Sequence, residues 1–446
     1  MKNTLLLSVF CLIAQTLKGQ SYSISPLGMK EGLSSNYVVS IAQDKKGFLW
    51  FATEEGLNKF DGIHFIPYYK EENSGRQSIT GNELNCILDD PVDSVLWIAT
   101  QRSGLNVYNY ATNTFHAYRH DPQNPESLIT DDITSLIPAQ DGNIWLATFW
   151  KGVEYFDKQQ RKFVHYNTTT VPDLPSDNIW SIADGGNGLL YIGHVRDGFS
   201  VLSVKDKKVK NFRHDPSNPN SIPGNGVLCI YKDRSGNVWL GTDKGLALYN
   251  PQTDDFKPLN NSKDGIPYRV YDIRQLNDGK LWMATEFGGI AILDLSQHFF
   301  QQTAFTFIRE GNDAYSLSNA SIRCIFQDSY DNVWAGTWGG GINFIRQSAP
   351  LFNAYQYSPF ASTGKRLTSR IASAVCLDND GKLWIGTDGD GINVFEDEKL
   401  TATYNRNNSP LEGNTVQAAL RDSEGGLWFG LFYGGIAYLP RILGGG

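Results

Sequence analysis

The chain is poor in the residues that build most reactive centres. Its 446 residues hold only 5 Cys and 7 His, and no Cys/His spacing matches that of a zinc site. Neither a metal nor an organic cofactor is expected. Cys11 falls in the first apolar run. Of the other four, Cys229 and Cys324 stand ten residues before a Trp, and Cys86 falls in step once one inserted residue is allowed; Cys376 is the fourth. Equivalent positions in separate repeat units lie too far apart for a disulfide, whose Cα atoms come within about 7 Å. These thiols are read as buried and apolar. The net charge is −8 without any Lys/Arg stripe, which argues against nucleic acid as a partner. Beyond the N terminus no stretch approaches the roughly 20 apolar residues that span a bilayer, and no long helix is patterned.

What is present begins with a positive start, Met1-Lys2-Asn3, and an apolar run from Leu5 to Ala14 before Lys18-Gly19-Gln20. This is the pattern of a secretory signal over residues 1–20, and it places the mature chain in the periplasm. Phe10, not a small residue, precedes Cys11, so no lipid anchor is expected.

One phrase then recurs nine times: Asp or Asn, a turn, an aliphatic, an aromatic, an aliphatic, Gly or Ala, Thr, a short gap, Gly and an aliphatic. Its copies centre on Trp50, Trp97, Trp145, Tyr191, Trp239, Trp282, Trp334, Trp384 and Trp428. Spacings of 43 (Trp239 to Trp282) to 52 residues (Trp282 to Trp334) suit one four-stranded propeller blade per copy. The fifth copy shows the plan. Strand a is Gly226–Tyr231, b is Val238–Thr242, c is Leu246–Tyr249 and d is Phe256–Leu259, with Gly, Asn and Asp turns between them. Strand a lines the central channel and d the rim. The fold class is therefore all-β, a propeller.

Asp stands six residues before the aromatic at Asp44, Asp233, Asp328, Asp378 and Asp422. There its carboxylate accepts backbone N–H groups across the a–b turn. The aromatics fill the wedges between blades. Both are structural readings, and neither marks a ligand site.

The b–c turns and d–a connections emerge on one face, and that face varies. Variation confined to one face of a repeat array points to binding. The b–c tips supply the candidate ligand-binding residues: Arg102, Phe149 and Trp150, then His194 and Arg196, Glu286 and Phe287, Trp338, Asp388 and Asp390, and Tyr433. Rings that stack on C–H faces beside charged groups that take hydroxyls suit an oligosaccharide. The same residue types also dominate protein interfaces, so a partner subunit is the alternative. A propeller glycosidase or lyase would need acids, bases or metal ligands converging at the channel mouth. Asp388, Asp390, Glu286 and His194 are the groups available, yet their spacing pairs none of them, and no catalytic residue is assigned.

Asn237-Val238-Trp239-Leu240-Gly241-Thr242 and Lys382-Leu383-Trp384-Ile385-Gly386-Thr387, with the connectors Arg119-His120-Asp121-Pro122-Gln123-Asn124-Pro125-Glu126-Ser127 and Arg213-His214-Asp215-Pro216-Ser217-Asn218-Pro219-Asn220-Ser221, closely resemble the two-component regulator propeller repeat. The resemblance covers nearly all of residues 22–439. It implies the periplasmic sensor region of a hybrid two-component histidine kinase of Bacteroidetes type. In that plan two seven-bladed propellers and a β-sandwich precede a membrane helix and a kinase, and the sensors respond to polysaccharide breakdown products as dimers. A homodimer, or a membrane-bound kinase region as partner, is thus implied. The 446 residues include no sandwich, membrane helix or kinase, so phosphotransfer is assigned to none of them. The chain is read as a fragment, a truncated product or a stand-alone sensor, and not as an enzyme. A scaffold without a small ligand remains a further reading.

Two closures fit nine copies. Tyr22–Leu27 reads as an orphan d strand that completes copy seven, giving a seven-bladed propeller over 21–347 and two further blades over 348–446. It could instead complete copy nine, which lacks strand d, giving one ring of nine. The expectation adopted is seven plus two.

Overall fold

In a computed structural model the described residues are 22–72, 78–259, 266, 268–296, 305–311, 316–346, 355–357 and 366–441. The expected signal segment 1–20 and residues 348–354, at the start of the two further blades expected over 348–446, lie outside them. The described residues are strands and turns, with one 3-10 turn at Met29–Glu31. Contacts divide the chain into two compact units, the larger spanning Ile24–Glu310 and Leu317–Gln347.

The larger unit contains seven four-stranded antiparallel sheets. Their inner strands, a, are Val38–Gln43, Leu84–Asp90, Ile133–Pro138, Ile179–Gly186, Val227–Lys232, Val270–Gln275 and Ile322–Gln327. We number the sheets 1 to 7 in that order. Each inner strand packs on the next, and the seventh packs on the first, so the sheets close a cycle. Ser23–Leu27, the orphan strand of the sequence, is the outer strand of sheet 7, beside Ile342–Arg346. The smaller unit holds a four-stranded sheet beginning with Ala372–Leu377 and a three-stranded one beginning with Val416–Arg421.

Hydrogen bonds cross all seven junctions of the cycle. Asn85 Nδ2 donates to the Ile133 carbonyl (2.8 Å), Thr134 Oγ1 to Ile179 (3.0 Å) and Ser181 Oγ to Val227 (3.0 Å). Cys229 and Cys324 donate from sulfur to Val270 (3.5 Å) and Val38 (3.9 Å). The Ile87 N–H donates to Ser40 Oγ (3.2 Å) and the Ile325 N–H to Asp272 Oδ2 (2.9 Å). The thiols are free, and burial raises their pKa values. They are not simply apolar fillers, because Cys229 and Cys324 donate across a junction.

The repeated aromatic is the wedge between sheets. Trp50, Trp239 and Trp282 are wholly buried, and Trp50 sits in one cluster with Leu84, Ile87 and Tyr108 of sheet 2. The repeated Asp does more than brace its turn. Asp44 Oδ1 accepts the N–H groups of Lys46 and Phe48, while Oδ2 accepts Trp50 Nε1 at 3.0 Å. The same indole bond recurs at Asp233, Asp328, Asp378 and Asp422. Each of these five units thereby fixes its own wedge by a charge-assisted bond.

Candidate ligand-binding site at the channel mouth

Two local devices build the mouth. The first is a bulge. In every inner strand of the larger unit the register against strand b slips just after the first residue, as between Val38 and Ser40. The residue left out of register is Val39, Asn85, Thr134, Trp180, Leu228, Tyr271 or Arg323 in sheets 1 to 7. A bulge redirects a side chain and frees it from the ladder. All seven are half-buried.

The second device is the b–c tip. Thr100 Oγ1 donates to the Gly104 carbonyl, and Thr53, Thr148, Thr242, Thr285, Thr337 and Thr387 make the same bond to their own Gly. This clasp tightens the turn, and in the five copies where Thr and Gly stand four apart the residue two after the Thr, at the apex, has left-handed backbone; the ninth copy, with Leu431 in place of the Thr, has the same backbone at Tyr433. Gly339 (φ 104°) and Gly389 (φ 94°) fill the apex in two copies, whereas Arg102 (64°), Trp150 (80°), Phe287 (61°) and Tyr433 (64°) fill it in others. Bulky residues are disfavoured in that conformation. A strained Trp or Phe held out on a turn is an outlier of the kind that gathers at ligand sites.

Bulges and tips converge on two cavities. One of about 380 Å³ is lined by Val39, Asn85, Thr134, Trp180 and Arg323 from the bulges and by Glu54, Gln101, Arg102, Phe149, Trp150 and Trp338 from the tips, with Glu83 and Asp132 just before two inner strands. The second, of about 390 Å³, takes in Tyr271, Glu286, Phe287, Glu310, Asn319, Ser321 and Trp338. Each is near the small end of the range for ligand sites, about 300–1,000 Å³.

Charge here is unevenly paired. Arg102 Nη2 meets Glu83 Oε2 at 3.0 Å, and Glu286 takes the Tyr271 hydroxyl (3.1 Å) and lies 3.5 Å from Arg269. Arg323 instead lies over aromatic faces, 4.7 Å from the Tyr271 ring centre and 5.6 Å from that of Trp180. Its Nε is buried without a hydrogen-bond partner. Burial raises the pKa of Glu54, Glu83 adds to the rise and Arg323 opposes it. Asp132 is raised by burial, with Arg102 opposing. Trp338 stacks on Tyr271 at 6.4 Å and 27° and meets Tyr37 edge-on at 6.2 Å.

Of the residues expected from sequence, Arg102, Phe149, Trp150 and Trp338 line the first cavity, and Glu286, Phe287 and Trp338 the second. His194 does not belong with them. It is fully buried, with Nε2 2.8 Å from Ser200 Oγ, and burial lowers its pKa to about 4. It occupies the clasp position held by Thr in seven other copies, below the tip and not on it. Arg196 is exposed and lines neither cavity. Asp388, Asp390 and Tyr433 sit on the smaller unit, where Thr415 Oγ1 donates to Asp388 (2.9 Å) and Tyr433 is almost fully exposed against Phe432; none of them lines either cavity. Sequence reasoning missed Glu83, Asp132, Trp180, Tyr271 and Arg323. The signal available was register: one fixed place in strand a reads Val, Asn, Thr, Trp, Leu, Tyr and Arg, between neighbours that hardly vary.

Four segments, residues 32–55, 221–244, 316–339 and 366–389, match the family model described as two component regulator propeller. The fold is similar to the extracellular domain of a putative hybrid two component system from B. thetaiotaomicron, with 52% identity and a TM-score of 0.71 over 95% of this chain and 54% of that one. A second extracellular domain of such a system from the same organism shares the fold at 21% identity, with a TM-score of 0.58 over 93% of this chain and 51% of that one. A curated relative, Histidine kinase P4 of Formosa agariphila, is 25% identical over 266 residues, 49% of this chain and 19% of the relative. The chain thus spans about half the length of the solved domains and about a fifth of the curated relative.

Proposed function

We propose that this chain, four segments of which match the two component regulator propeller model, is the extracellular, periplasmic sensing portion of a two-component signalling protein that binds an oligosaccharide at the channel mouth. The observation that carries the reading is the convergence of bulged inner-strand residues with strained aromatic tips on one cavity. Trp180, Trp150 and Trp338 stand around Glu54, Asp132 and Arg323 in the cavity wall. Rings take the apolar faces of sugars, and the charged groups take hydroxyls. Binding there stabilises the folded ring. The state passes to a kinase region, or to a second copy of the chain, through surfaces outside the cavity.

The proposed role is recognition and not turnover. The test is thermal unfolding with a panel of oligosaccharides, since a ligand held only by the folded state raises the melting temperature by mass action. A member that raises it for the native chain and not for Trp338→Ala supports the reading. Hydrolysis or elimination of a panel member would replace it with an enzyme. A panel that leaves the melting temperature unmoved removes the sugar from the account.

A further inference from the structure

The two cavities are not independent. Trp338 lines both, and behind it the rings form one stripe: Trp338 stacks on Tyr271, the Arg323 guanidinium lies over Tyr271, and the same guanidinium faces Trp180. Tyr271 belongs to the second cavity, while Trp180 and Arg323 belong to the first. At the outer ends stand Trp150 on the sheet 3 tip and Phe287 on the sheet 6 tip, both exposed and both with left-handed backbone.

From this continuity we propose that the ligand is an extended chain of at least four sugar-sized units, lying across Trp338 with its ends on Trp150 and Phe287; the inference rests on the oligosaccharide reading above. A compact mono- or disaccharide fills one cavity and leaves the other's aromatic wall in water. A chain uses both walls and places its middle over Arg323, the lining cation that makes no ion pair among the described residues. The two ends then contribute through separate contacts, so each adds to affinity without the other.

The test is calorimetric titration of the chain with neutral, N-acetylamino and uronate oligosaccharides of two to six units, repeated on Trp150→Ala and Phe287→Ala. Both tips are exposed, and circular dichroism checks that both variants fold. The expected result is that affinity rises about tenfold or more, the step of a single good contact, between two and four units of the responding series. Each variant weakens the tetramer, while the dimer is sensitive to only one of them. Dimer and tetramer binding equally, or a tetramer indifferent to one variant, overturns the spanning chain and leaves the sugar sensor standing. No response from any series removes the sensor reading, and the spanning chain with it.

Discussion

Replacing Asp44 by Ala tests whether the repeated carboxylate anchors the wedge aromatic or merely shapes a turn. The substitution removes the acceptor for two backbone N–H groups and for Trp50 Nε1. The Lys46 and Phe48 amides lie at the edge of the fold, where water can replace the lost bonds. The Trp50 indole is fully buried and has no such recourse. A buried donor stripped of its acceptor costs about 1–3 kcal/mol, and a bond to a charged acceptor contributes about 1.5–3 kcal/mol. With the weakened turn added, Asp44→Ala should cost about 2–4 kcal/mol. At roughly 2–4 °C per kcal/mol in chains of 150–250 residues, the melting temperature of this larger ring should fall by on the order of 5 °C. The control is built into the chain. Asp422 makes the same indole bond at 2.8 Å, but Trp428 is 39% exposed, so water takes over and Asp422→Ala should leave its unit nearly unchanged. Differential scanning fluorimetry of the two variants settles the matter. Equal shifts would show that the turn amides, not the buried indole, carry the effect.

Glu154 is wholly buried, accepts the Ile129 N–H at 2.7 Å and lies 3.6 Å from His165 Nδ1; burial raises its pKa. Its folded value lies above the unfolded one, so the stability it contributes is complete below about pH 4.3 and fades as pH rises through the folded value; Glu154→Gln should flatten the pH dependence of melting above about pH 4, and a variant that keeps the native slope would refute the assignment. Trp150→Asn relieves the left-handed apex, because Asn tolerates that region, and should raise the melting temperature slightly while reducing the shift induced by a tetramer. A lowered melting temperature would mean that Trp150 packs for stability instead. Gly341 (φ 73°) carries no side chain where a Cβ would collide with the carbonyl oxygen of Leu27 on the closing strand. Gly341→Ala should therefore loosen Ser23–Leu27 and speed its hydrogen exchange, whereas Gly381→Ala, with open space around it, should leave that strand protected.

The strands and turns were legible because each copy restates them: alternation, turn residues and the wedge aromatic recur in register, and the sheets follow the copies one for one. The orphan strand at 23–27 was legible as an orphan, and its expected partner, copy seven, followed from the family resemblance and not from its own residues, since strands d of any two copies look alike. The site was half legible. Trp150, Phe287 and Trp338 announced themselves as aromatics on turns. Arg323, Tyr271 and Trp180 were hidden inside strands, because a bulge depends on how two strands pair and leaves no mark on either one alone. His194 misled for the opposite reason. It sits one residue inside the tip, where the clasp turns its ring toward Ser200. Arg196 has the right residue type at a tip, but which tips meet at the mouth is decided by the curvature of the ring.

The slipped residue in each inner strand has a consequence for how such a molecule diversifies. Ladder bonds are made by its neighbours, and although Asn85 and Thr134 also bond across junctions, seven positions around the axis are released from the pairing of the strands. Recognition can be rewritten there one side chain at a time, like changing the pins of a lock while the barrel stays as cast.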